Sequence, residues 1–181
     1  IEAMDRYYRE TNANIHRGVY EMSLESTRLV DEARKKIADF IGGRDEEIIF
    51  TRNTTEGINL VAYAWGEENV NEGEAVVITK LEHHSNMVPW QELCRRQGAE
   101  LRVVETGREG RLLEEAEIKV TENNGLKVKM GGWRNLLDEK VKMVAVTGQS
   151  NAMRTIVNIE EEVKRIKKHA PEALVLVDGA Q

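Results

Sequence analysis

A chain of 181 residues, 40% hydrophobic and with only two prolines, can bury one sizeable core and is expected to form one domain or most of one. Its net charge of -6 leaves no basic footprint for nucleic acid or an anionic membrane, so small molecules and proteins are the expected partners. The single cysteine, Cys94, excludes an internal disulfide and a cysteine-based metal site, and no apolar run nears the roughly 20 residues that span a bilayer, so a cytoplasmic setting is expected.

At the N-terminus, Ile1-Glu2-Ala3-Met4-Asp5 lacks the basic and apolar zones of a signal peptide and has no initiating methionine, so the residues are expected to belong to a longer gene product. Residues 23–41 carry Leu29, Ala33, Ile37 and Phe40 at helical spacing and meet a stop at Gly42-Gly43, which predicts an amphipathic helix. The β-branched and aromatic run at 47–51 predicts a short strand, and the apolar stretch 57–65 a buried helix after a turn. The alternation continues with a strand at 75–79, a helix at 87–97 and strands at 100–105 and 142–147. A surface helix at 159–169 and a strand at 173–177 complete it. Repeated strand–helix units predict an α/β fold with a mainly parallel sheet flanked by helices. One stretch breaks the rhythm. Residues 118–121 and 126–129 alternate apolar with polar around Glu122-Asn123-Asn124-Gly125, a hairpin excursion within about 111–134, and residues 133–137 then form a short helical turn.

Three places along this pattern can carry chemistry. Thr54-Thr55-Glu56 stands between a strand and a helix, where unpaired N–H groups and the positive dipole end favour phosphate; the same pattern also caps ordinary helices, and on this motif alone the cap is the favoured reading. Glu82-His83-His84-Ser85-Asn86 follows the strand 75–79, in the loop position where open α/β sheets bind ligands. No metal site is expected, because adjacent histidines diverge and no i, i+4 pair exists; capping or packing and stacking on an aromatic ligand stand about equal for the histidines. Asp178 ends a fully apolar strand, where a carboxylate needs a cationic or donor partner; it could hold a proton on a pyridine nitrogen, or simply cap a following helix. Cys94, beside Arg95 and Arg96, could be an activated thiol, but its helical spacing with Trp90, Leu93 and Gln97 predicts a buried, inert one.

Taken in order, the TTE, EHHxN and DxAQ motifs resemble the class V aminotransferase superfamily of pyridoxal-phosphate (PLP) enzymes. The string Leu81-Glu82-His83-His84-Ser85-Asn86-Met87-Val88-Pro89-Trp90-Gln91, with Ala13-Asn14-Ile15-His16-Arg17-Gly18, looks like the SUF-type cysteine desulfurases and the selenocysteine lyases. The resemblance runs from about Tyr7 to Gln181, with residues 111–134 unmatched. It implies a fold-type I PLP-dependent transferase, with residues 1–22 near the active-site mouth and 23–181 forming an incomplete PLP-binding large domain. By motif, Thr54 and Thr55 would hold the PLP phosphate, His83 would stack on the ring, Asp178 would pair with the pyridinium nitrogen and Gln181 would bond the phenolic oxygen. Asn151 would face the substrate side, with His16 and Arg17 at the mouth. Such enzymes turn L-cysteine into L-alanine plus an enzyme-bound persulfide for a sulfur-acceptor protein, usually for iron–sulfur cluster assembly, and act as homodimers.

The resemblance also implies that the Schiff-base lysine, the persulfide cysteine and the arginine for the substrate carboxylate lie beyond the DxAQ motif, so these residues alone are not expected to turn over cysteine. Selenocysteine lyase or aminotransferase activity, or a non-enzymatic or split-enzyme half, are the alternatives. Two departures from the family pattern stand near Asn151: Gly148 in place of a usual histidine, and Arg154 in place of a usual glycine.

Overall fold

The computed structural model describes residues 1–181, which fall into two units, 1–50 and 51–181. In the first, helix α1 (Glu2–Arg6) runs into a π-type turn, Tyr7–Thr11, and helix α2 (Glu21–Ile41) follows. The α2 helix stops at Gly42 in the left-handed conformation (φ 75°), with the Gly43 N–H donating to the Ala38 carbonyl at 2.9 Å, as the Gly-Gly pair predicts.

The buried positions of α2 differ from the expected apolar stripe. Ser23, Ser26 and Ala38 are buried, whereas Ala33, Ile37 and Phe40 are exposed. The serines are buried because they bind the preceding segment: Ser23 Oγ donates to the Asn14 carbonyl at 2.5 Å and Ser26 Oγ to the Thr11 carbonyl. The His16 N–H donates to Thr27 Oγ1 at 3.0 Å in the same way. A short 3-10 turn, Asp45–Glu47, ends the unit, closed by the Glu47 carboxylate accepting from the Arg44 N–H at 2.8 Å. The strand expected at 47–51 does not form. Ile48 is extended (φ -95°, ψ 122°) but no strand pairs with it, and Ile49 is 70% exposed. A β-prone run becomes a strand only where a ladder partner exists.

In the second unit, helix α3 (Thr54–Val61) continues through a π-type turn, Ala62–Gly66, into α4 (Glu67–Asn69). Then come β1 (Ala75–Thr79), a 3-10 turn (His84–Asn86), α5 (Val88–Gln97) and β2 (Glu100–Val104). The hairpin β3 (Lys119–Asn123) and β4 (Leu126–Gly131) leads to α6 (Trp133–Leu136), β5 (Val141–Thr147), α7 (Ile159–His169) and β6 (Leu174–Asp178). One six-stranded sheet, ordered β3-β4-β2-β1-β5-β6, contains all the strands, and only the β3–β4 pairing is antiparallel.

The hairpin turns at Asn124 and Gly125, both with positive φ (49° and 74°), the conformation that Asn-Gly favours in two-residue turns. Its second strand lies parallel to β2, Leu101 opposite Val128, so the hairpin widens the main sheet.

Every residue of β1 is buried, the signature of a parallel strand covered on both faces. Alternate residues supply the two cores. Val76 and Ile78 pack with Trp90, Leu93, Cys94 and Ile58, while Ala75 and Val77 pack with Trp133, Leu136 and Ile166. The second layer holds one buried cation. Arg102 donates to the Leu136 carbonyl at 2.7 Å and pairs with Glu100 at 2.7 Å and Asp138 at 2.9 Å. No helix is long and apolar enough to cross a membrane.

Candidate active site

From β1 the chain passes to β2 on one side, and β5 lies on the other, so the sheet reverses direction between β1 and β5. Loops leaving the carboxyl ends of strands diverge there and leave a crevice, where open α/β sheets bind ligands. The ends of β1, β5 and β6 are Thr79, Thr147 and Asp178, with Thr147 directly opposite Asp178. A cavity of about 270 Å³ opens at this edge, lined by Asn53, Thr54, Thr55, His83, Ser85, Thr147, Gln149, Asn151, Asp178, Ala180 and Gln181. Six of the residues singled out from sequence, Thr54, Thr55, His83, Asn151, Asp178 and Gln181, therefore meet in one place. His16 and Arg17 belong to the first unit.

The first turn of α3 leaves both threonine hydroxyls without a partner in the protein. Asn53 is the cap: its side chain accepts from the Glu56 N–H at 2.9 Å, and the Glu56 carboxylate accepts from the Arg52 N–H at 2.5 Å. Capping is thus done by neighbours, and neither Thr54 nor Thr55 spends its hydroxyl on the protein. Two hydroxyls without a partner in the protein and the unpaired N–H groups of a first helical turn are donors of the kind that suit an anion.

His83 caps the 3-10 turn, the first of the roles weighed for it, and its ring also lines the cavity. Its Nδ1 accepts from the Ser85 N–H at 3.2 Å and lies 2.8 Å from Ser85 Oγ, which places the ring proton on Nε2 and fixes the ring's orientation. Asp178 is only 5% exposed, and its carboxylate accepts one hydrogen bond, from the Ala180 N–H at 3.0 Å. A buried carboxylate with one donor has capacity for a cationic or N–H partner from the cavity.

Glu82 was part of the sequence motif but received no role there. It is 8% exposed, and three donors surround its carboxylate: Thr79 Oγ1 at 2.6 Å and the Thr147 N–H at 3.0 Å on Oε1, and Asn86 Nδ2 at 2.6 Å on Oε2. Burial raises its pKa to about 7; the three hydrogen bonds oppose the rise and nearby Asp178 adds to it. Its signal in the sequence was a carboxyl placed four residues after the apolar run Ala75–Ile78.

The profile of the Aminotransferase class-V family matches residues 1–181. The chain belongs to this family. Among class-V relatives, a cysteine desulfurase of Enterobacter sp. (strain 638) is 41% identical over 183 residues, covering 100% of this chain and 40% of that protein. One of Salmonella dublin is 38% identical with the same coverage. Of solved structures, the apo cysteine desulfurase of Thermococcus onnurineus NA1 is 38% identical with a TM-score of 0.81, across 99% of this chain and 40% of that one. A NifS-like protein is 26% identical with a TM-score of 0.84, across 99% and 44%. The chain spans about 40% of the length of the curated relatives it matches.

Both departures from the class-V pattern lie in the loop that carries Asn151. A side chain's first carbon at Gly148 would meet only the Asp178 carbonyl, at an ordinary 3.6 Å, so the glycine is not sterically required. Arg154 stands at φ 57°, the left-handed region that favours glycine, in a turn closed by the Arg154 N–H donating to the Ser150 carbonyl and the Ser150 N–H to the Thr155 carbonyl, each at 2.9 Å. Cys94 is fully buried and burial pushes its thiol up to about 12, as expected of an inert core residue.

Proposed function

We propose that the chain forms the PLP-holding wall of a cysteine desulfurase of the SUF type, which converts L-cysteine to L-alanine and passes the sulfur, held as a persulfide, to an acceptor protein. The carrying observation is that Thr54, Thr55, His83, Asn151, Asp178 and Gln181 line a single cavity at the carboxyl edge of the sheet. The substrate comes from relatives at 38–41% identity, which are cysteine desulfurases.

The residues fit the cofactor. Free threonine hydroxyls at a helix N-terminus suit a phosphate, and a buried carboxylate with one donor suits a protonated ring nitrogen. When bound, PLP supplies an electron-withdrawing ring for the amino-acid carbon attached to it. The chain's own residues then have separable tasks. Thr54 and Thr55 bind the phosphate. Asp178 holds a proton on the ring nitrogen. His83, locked by Ser85, covers one ring face and excludes water from it. Gln181 bonds the phenolic oxygen, and Asn151 orients the substrate side.

The proposal extends to a cytoplasmic homodimer that serves iron–sulfur cluster assembly, on the strength of the family resemblance. Incubating the full-length protein with L-cysteine tests the activity: alanine and enzyme-bound sulfur are expected in equal amounts. Release of selenium from selenocysteine or amino transfer to a keto acid, in place of desulfuration, would assign the site to another class-V activity. A protein that binds PLP and leaves L-cysteine intact would refute the substrate.

A further inference from the structure

The Glu82 carboxylate is the meeting point of three segments that carry the site. Trp90 Nε1, a donor only, donates to Asn86 Oδ1 at 3.0 Å, which turns the Asn86 amide so that Nδ2 faces Glu82 Oε2. Thr79 Oγ1 already accepts from the Leu81 N–H at 3.1 Å, so its own hydrogen is free for Glu82 Oε1. The Thr147 N–H completes the set across a sequence separation of 65 residues. Each of these groups presents a hydrogen, and a carboxyl group, with an acceptor oxygen towards each side, receives all three where a carboxamide would not.

The consequence is geometric. The bond to Asn86 curls residues 82–86 around the carboxylate, with the Asn86 N–H donating to the His83 carbonyl at 2.8 Å, so His83 is carried on a closed loop. The bond to Thr147 ties that loop to the end of β5, directly opposite Asp178. Thr147 Oγ1 also donates to the Gln149 carbonyl at 2.8 Å, linking the tie to the loop that bears Asn151. We propose that Glu82 is the positioning residue of the site, whose buried carboxylate clamps the His83 loop to the strand end facing Asp178 and so sets the spacing of the two. This rests on the PLP-site reading above only for its effect on PLP; the clamp itself is a property of the chain alone.

The test is Glu82→Gln in the full-length protein. It replaces one acceptor oxygen with a donor, which then faces either Asn86 Nδ2 or the pair Thr79 Oγ1 and Thr147 N–H. Hydrogen–deuterium exchange without PLP is read first. Exchange is expected to quicken several-fold in residues 80–88 and also in 146–151, with 159–169 unchanged. The dissociation constant for PLP is expected to rise roughly tenfold, the equivalent of one ordinary interaction, with an altered circular dichroism of bound PLP. Thr79→Val removes one of the three donors at nearly constant volume and should shift the same readings in the same direction by less, so it serves if Glu82→Gln does not fold. Unchanged exchange in 146–151 would overturn the clamp. So would wild-type PLP affinity and dichroism at equal folded fraction, the result expected if Glu82 were merely structural. A wild-type protein that fails to bind PLP would instead fault the site assignment, and the exchange comparison would still decide the role of Glu82.

Discussion

Replacing Arg154 with glycine should make the protein more stable, although it deletes a large side chain. Arg154 sits at φ 57° in a turn closed on both sides by hydrogen bonds between residues 150 and 154–155, so its backbone cannot relax without opening the turn. The left-handed conformation costs an L-residue roughly 1–2 kcal/mol. Glycine gives back about 0.4–1 kcal/mol of this through the greater freedom of the unfolded chain. Arg154 is exposed, so little else is lost. The net gain lies between about 0 and 1.6 kcal/mol, the difference of these ranges, and is centred on about 0.8 kcal/mol. Urea unfolding should show a higher midpoint for Arg154→Gly at an unchanged slope. Arg154→Ala is the control, since it removes the same charge but keeps the strained conformation, and it should match or fall below wild type. Equal gains in both variants would assign the effect to the side chain and refute the strain argument, as would a loss of stability in Arg154→Gly.

Other perturbations probe the scaffold and its pH response. Arg102→Ala leaves the carboxylates of Glu100 and Asp138 without their buried cation and should cost about 3 kcal/mol in urea unfolding; a loss under 1 kcal/mol, roughly that of an exposed pair, would mean water replaces the guanidinium. Gly132→Ala would put a carbon 2.5 Å from the Glu114 carbonyl oxygen and the Glu115 Cα, both backbone atoms that cannot step aside singly. A loss of about 1–3 kcal/mol is expected, and an unchanged midpoint would show that residues 114–115 yield freely. Glu82 gives a pH signature. Its pKa rises from 4.5 to about 7 on folding, so the native chain binds this proton more tightly than the unfolded one. The stability it contributes is complete below about pH 4.5 and is lost as pH climbs through 7, by up to about 3 kcal/mol. The stability of wild type relative to Glu82→Gln should therefore decline between pH 4.5 and 7; a difference that is flat or rises with pH would contradict burial as the dominant influence.

What could be read from sequence follows the range of the forces involved. β1 and β6 were legible because the continuous apolar runs Ala75–Ile78 and Ala173–Val177 have few other uses, and their ends located the site because Asp178 is costly there without a partner. The hairpin was legible because Asn-Gly sets its own backbone; that it would pair with β2 was not, since parallel pairing is decided by partners distant in sequence. The failed strand at 47–51 and the exposed face of α2 share one cause: propensity and periodicity are local, while ladders and burial depend on neighbours. The capping read from Thr54-Thr55-Glu56 falls to Asn53, one residue before the motif, which leaves the hydroxyls of Thr54 and Thr55 without a partner in the protein. Glu82 stayed hidden for the same physical reason as the β2 pairing, because a decisive donor, the Thr147 N–H, is 65 residues away.

The central claim is that the crevice between β1 and β5 holds PLP through Thr54, Thr55, His83 and Asp178. A crystal structure of the full-length protein grown with PLP tests it most directly. The account predicts the phosphate at the Thr54 and Thr55 hydroxyls, the ring under His83 and its nitrogen within hydrogen-bond distance of the Asp178 carboxylate. PLP bound elsewhere, or in this crevice with its ring nitrogen turned away from Asp178, would contradict it.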